Sequence, residues 1–101
     1  MKSVLFFLLV LILSLLFYLV SSERFAYLNG RVYQQLGFHF KAAEMFEKAC
    51  NDGNPRACVD LAAMFETGEG VDKDLAKAKG LYQKAYEHGF APAREHLNNL
   101  D

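Results

Sequence analysis

The sequence predicts an all-α chain: an apolar N-terminal helix, then a short α/α solenoid of two helix hairpins and a capping helix. Three observations predict it. Residues 4–20 form an apolar run broken only by Ser14. The remainder repeats on a 36-residue register. Within each repeat, apolar residues recur at helical spacing between glycines placed where helices stop.

The N-terminal element comes first. Lys2 and the free amine precede the run Val4 to Val20, which is the polarity of both a signal peptide and a signal anchor. A membrane span needs roughly 17 to 25 apolar residues, whereas a signal h-region runs to about 15. Tyr18 stands near the outer end, where an aromatic anchor belongs. Val20-Ser21-Ser22 is a tolerable cleavage sequence, although no Ala-x-Ala site follows. Residues 1–22 are therefore expected to be a signal anchor held in the membrane through residues 4–20, or a cleaved signal peptide. Either places residues 23–101 outside the cytoplasm. A helix apolar all round is no surface helix of a soluble domain, and no segment of this chain is suited to cover it.

The globular part, about eighty residues long, lies near the size at which one core barely outweighs chain entropy. It therefore needs a staple, a partner or stacked neighbours. Its charges are interspersed, with 11 basic and 12 acidic residues in the whole chain and a net charge of −1. There is no basic patch interleaved with aromatics, which argues against a nucleic-acid partner.

A shift of 36 residues superposes Lys41-Ala42 on Lys77-Ala78, Phe46 on Tyr82, Lys48-Ala49 on Lys84-Ala85, Gly53 on Gly89, Ala57 on Ala93 and Leu61 on Leu97. The first hairpin is expected over 23–53. Glu23 to Leu36 reads as a helix with Phe25, Leu28, Val32 and Leu36 on its inner stripe and Tyr33 beside it. Gly37 ends it, and Phe38 to Asp52 forms the return helix with Ala42, Met45, Phe46 and Ala49 inward. The second hairpin occupies 54–89. Asn54 is its N-cap and Pro55 its first helical residue. Cys58, Leu61, Ala62 and Phe65 face inward before Gly68. After a short loop, Asp72 or Asp74 caps a helix running to His88, with Leu75, Ala78, Leu81, Tyr82 and Ala85 inward and Gly89 at its end. A capping helix follows over 91–100, opened by Ala91 or Pro92. Recurring alanines suit antiparallel helices that approach closely, and the aromatics fill the gaps between them.

The stretch Leu61-Ala62, Phe65, Gly68-Glu69-Gly70-Val71, Asp74, Lys77-Ala78, Leu81-Tyr82, Lys84-Ala85 and Gly89 resembles a Sel1-like repeat, its Gly-x-Gly-Val loop being the most specific part. The stretch before it, with Asn29-Gly30, Tyr33, Gly37, Ala42, Phe46 and Ala49, looks like a tetratricopeptide repeat with a shorter loop. The resemblance implies a right-handed α/α solenoid that binds a protein or peptide on its concave surface. On that resemblance the outward positions are Arg24, Tyr27, Arg31 and Gln34 in the first hairpin and Arg56, Ala63 and Glu66 in the second. Tyr27, with an arginine one turn to either side, suits a carboxylate or an extended peptide.

The cysteine spacing is similar to that of the Helicobacter cysteine-rich, Sel1-like exported proteins, which implies a Cys50–Cys58 disulfide. From the residues alone, free buried thiols remain an alternative. A zinc site is disfavoured, because seven residues separate the cysteines and no histidine is near in sequence. The resemblance also brings a rival reading, a β-lactam-binding or β-lactam-hydrolysing protein. Against it, no serine follows Ser22 and Thr67 is the single threonine, so a serine nucleophile is absent from the globular part. His39, His88 and His96 are scattered, Asp72 and Asp74 suit helix caps, and Gly68-x-Gly70 lacks the strand and Lys-Ser/Thr of a phosphate loop. The expected function is a membrane-tethered or exported interaction scaffold with no cofactor and no metal, its repeat domain on the extracytoplasmic side, in the periplasm of a bacterium. A small accessory subunit of a larger membrane complex is the third reading.

Overall fold

The computed structural model describes residues 1–100, and their side chains except at positions 20–23. Five helices make up the described residues: α1 (Lys2–Gln35), α2 (His39–Asn51), α3 (Pro55–Thr67), α4 (Leu75–Glu87) and α5 (Ala93–Leu100). Each packs on the next, α1 on α2 through to α4 on α5, giving a stacked α/α solenoid. The molecule measures 63 × 29 × 16 Å. Most of its length is α1, whose 34 residues would rise about 51 Å at 1.5 Å each.

The apolar run and the first repeat helix are one element. No break occurs between residues 22 and 23, because no glycine or proline precedes Gly30 and the backbone donors at 23 are already met within the helix. Lys2–Leu19 is long and apolar enough to cross a bilayer, and none of it is buried within the chain.

The turns follow the local chemistry. Asn54 Oδ1 accepts from the backbone N–H of Arg56 at 3.0 Å and of Ala57 at 3.3 Å, capping α3 behind Pro55. At α4 the cap is Asp74, whose carboxylate accepts from Lys77 N–H at 3.0 Å. The register seen in sequence is a register of packing: Ala42 with Ala78, Ala49 with Ala85, and Ala57 with Ala93 are all fully buried, and Phe46 and Tyr82 are the two largest enclosed side chains. A disulfide joins Cys50 of α2 to Cys58 of α3, with both residues in the core.

One face differs from the expectation. Phe25, Leu28, Val32 and Leu36, the expected inner stripe of α1, are 66%, 60%, 52% and 64% exposed. The helix turns Ala26 and Gly30 inward instead, and these small residues let the Phe46 ring lie directly on its backbone. A Cβ at Gly30 would sit 2.6 Å from that ring. Close approach of α2 needs small residues, so the large apolar side chains are left on the far side. Leu75, expected inward on α4, is 50% exposed at the first position after its cap, although the cap itself is tied to α3 by the Asp74 N–H donating to the Phe65 carbonyl at 2.8 Å.

Candidate functional site: the face shared by α1 and α3

The first helices of the two hairpins, α1 and α3, come together through a small cluster of side chains. Its centre is Asp60, half-buried in the middle of α3. Arg31 Nη1 approaches Asp60 Oδ2 to 3.8 Å across the repeat junction. The Tyr27 hydroxyl lies beside the same carboxylate and favours its charged form, and its ring leans on Phe46 with centroids 5.9 Å apart. Arg56, exposed in the first turn of α3, adds its positive field. Burial pushes the Asp60 carboxyl above its ordinary range, and Tyr27, Arg31 and Arg56 offset this only in part. The same burial, with the Asp60 charge next in size, raises the Tyr27 phenol, so it stays a donor. Asp60 Oδ2 is enclosed yet makes no hydrogen bond among the described residues.

Of the outward residues expected from sequence, Tyr27, Arg31 and Arg56 are thus brought together. Glu66 is half-buried one and a half turns beyond Asp60 and accepts from the Tyr82 hydroxyl of α4 at 2.8 Å, so its carboxylate is already engaged. That bond and burial raise the Tyr82 phenol well above its ordinary value, desolvation being the larger cause. Arg24 and Ala63 are exposed and Gln34 is half-buried; none of the three joins the Asp60 cluster. Asp60 itself was missed, although a signal existed: 56, 60 and 63 follow helical spacing on one stripe, the stripe that carries Arg56 and Ala63.

The histidines have structural surroundings. His39 Nε2 lies 3.1 Å from Glu69, tying the start of α2 to the loop before α4. His96 of α5 stacks on Tyr82 with centroids 4.8 Å apart and rings 4° from parallel. Among the described residues no three His, Cys, Asp or Glu side chains converge as a metal site would need. A separate cleft of about 370 Å³ lies between α4 and α5, lined by Lys79, Gln83, Tyr86, Arg94, Leu97 and Asn98. Arg94 spans part of it, its Nη1 3.5 Å from the Tyr86 hydroxyl.

With this geometry in hand, the family comparison is decisive: the Sel1 repeat model matches residues 25–54 and 55–90, one span for each hairpin. The chain belongs to the Sel1 repeat family. The Sel1 match takes in the first hairpin as well, despite its shorter, tetratricopeptide-like loop. Three curated relatives share the repeat region. The "Putative beta-lactamase HcpE" of Helicobacter pylori is 37% identical over 54 residues, which is 54% of this chain and 15% of that protein. The rat "DAP3-binding cell death enhancer 1" is 35% identical over 60 residues, 59% of this chain and 12% of the relative. The "Chitin synthase regulator SKT5" of Malassezia restricta is 39% identical over 54 residues, 54% of this chain and 4% of the relative. The Sel1 chain thus spans less than a sixth of each relative.

Proposed function

We infer that this Sel1 chain is a membrane-tethered interaction module that holds a peptide or protein partner on the face shared by α1 and α3. The observation that carries the reading is the Asp60 cluster, where an incompletely satisfied carboxylate, two arginines and a tyrosine meet across a repeat junction. Arg56, exposed beside the enclosed Asp60 carboxylate, suits a partner carboxylate. Arg56 does little for its own helix, since a cation in the first turn opposes the helix dipole. The Lys2-led apolar helix and the Cys50–Cys58 disulfide support an extracytoplasmic position for the repeats, the periplasm in a bacterium. The unbroken run of α1 from Lys2 to Gln35 supports retention of the anchor, because proteolytic cleavage needs locally extended chain.

The test is partner capture from the native membrane by full-length chain carrying Arg31→Gln or Arg56→Gln. Neutral replacements are preferable to Arg31→Glu, which would set a second carboxylate against the desolvated Asp60 and confuse binding with folding. Loss of capture by about tenfold or more at unchanged helicity is the expected result for an arginine at the centre of an interface. Unchanged capture by both variants contradicts the reading.

The printed name of the Helicobacter relative favours a second reading, β-lactam binding or hydrolysis. Nitrocefin turnover by the purified full chain tests it, and the absence of a serine after Ser22 leads us to expect none.

A further inference from the structure

We propose that α1 pairs in parallel with α1 of a second copy of this chain, along a seam that begins in the membrane and continues through Phe25, Leu28 and Val32. The proposal rests on the anchor being retained. Its starting point is the stripe the fold leaves uncovered: Phe25, Leu28, Val32 and Leu36, an apolar patch of roughly 400 Å² on a helix whose opposite side is packed.

Three features select a second copy as the occupant. The first is register. Phe25, Leu28 and Val32 stand at the a, d and a positions of a seven-residue repeat, with Leu36 flanking at e. Counted back by sevens along the same unbroken helix, the a positions are Tyr18, Leu11 and Val4, and Ser14 falls at d, a small residue where two membrane helices would approach. The second is the position of α2. Ala26, Gly30 and Tyr33, the residues α1 turns toward α2, are b, f and b in that repeat, the outward side of a helix pair. Pairing therefore leaves the packing of these residues on α2 in place. The flanking g positions are Arg24 and Arg31, which in a parallel pair face Asn29 and Leu36 of the other copy, so no like charges are opposed. The third is height. Lys2–Leu19 rises about 27 Å and fills a hydrocarbon core of ~30 Å, beyond which the headgroup layer is only ~6 Å deep. Leu28, Val32 and Leu36 stand about 14, 20 and 25 Å past Leu19 on the helix, out of reach of lipid. A shared anchor also delivers every copy in the same orientation, which the parallel seam requires. The patch alone falls short of the ~800 Å² per partner typical of a stable interface, so the membrane stretch must supply the rest.

The test uses the full chain in its native membrane, with the single substitutions Phe25→Cys, Leu28→Cys and Gln34→Cys and mild copper–phenanthroline oxidation. The native cysteines are buried and joined to each other, so they do not compete. Phe25→Cys and Leu28→Cys are expected to give disulfide-linked homodimer, and Gln34→Cys, at an outward c position, at least about tenfold less. Adding Val32→Glu should cut the Leu28→Cys dimer by about tenfold or more. Intact mass is read on each sample. A chain intact from Met1 that gives no dimer at 25 or 28, or equal dimer at 34, overturns the pairing while leaving the anchor standing. A chain found cut near Ser22 overturns the anchor and the pairing with it. Adducts to a different protein at 25 and 28 overturn the choice of occupant.

Discussion

Gly37 and Gly70 both hold a positive φ, 86° and 77°, but their surroundings differ. Around Gly37 the space for a Cβ is empty; at Gly70 a Cβ would lie 2.6 Å from the carbonyl carbon of His39. The Gly-x-Gly-Val loop is therefore pressed onto the start of α2, which is the physical content of the most specific motif in the sequence. Gly37→Ala carries only the conformational penalty, about 1–2 kcal/mol. Gly70→Ala adds a clash with backbone that cannot rotate away, and is expected to cost at least ~3 kcal/mol. Urea midpoints at unchanged slope measure both, and equal losses would contradict the packing described. Asp60 gives a second residue-scale prediction. Its carboxyl is harder to ionise in the folded chain than unfolded, mainly through burial, so the fold binds that proton more tightly. Its favourable contribution is full below the ordinary aspartate range and is lost as pH rises through the higher folded value. The stability of the native sequence relative to Asp60→Asn should accordingly fall as pH rises across that window. A difference that stays flat would show the carboxylate to be fully compensated, and one that rises would show it to be stabilised in the fold; either contradicts the raised folded value.

At the level of elements, helix ends and most of the core of α2 to α4, though not Leu75 or Met64, were legible in the sequence because their signals are local or periodic. Asn54-Pro55 and Asp74 cap where a capping residue must, and the recurring alanines at 42, 49, 78 and 85 are the buried close-approach positions. The orientation of α1 was not legible. Phe25, Leu28, Val32 and Leu36 have the period of a buried stripe, but periodicity reports only that a face is apolar, not what covers it. The pair Ala26 and Gly30, one turn apart, held the deciding information, because only small residues admit Phe46. Gly30→Ala should thus be destabilising by about 1–3 kcal/mol through overpacking, whereas Val32→Ala should change monomer stability by less than about 0.5 kcal/mol. The disulfide between α2 and α3 closes a loop of 8 residues in separation. Replacing both cysteines by alanine should cost about 2–3 kcal/mol, a melting shift of roughly 10–20 °C in a domain this small. Intact mass with and without reductant reports the bond directly, as a two-hydrogen difference.

Over the whole molecule, the two unsatisfied surfaces of α1 point in different directions and suit different roles. The apolar stripe is continuous with the membrane stretch, whereas the polar face toward α3 carries Tyr27, Arg31 and the Asp60 carboxylate. Most of that polar face was legible residue by residue, but its assembly was not, since Arg31 and Asp60 belong to different repeats and meet only once the hairpins stack. Glu66 was expected to face a partner, and its carboxylate accepts from Tyr82, a contact between α3 and α4 with no local signature. The measurement that tests the central claim most directly is photo-cross-linking in the native membrane, with the cross-linker at Ala63 on α3 or at Gln83 in the cleft between α4 and α5. The account predicts a discrete partner adduct from Ala63 that disappears with Arg31→Gln, and none from Gln83. An adduct from Gln83 with none from Ala63 would contradict it.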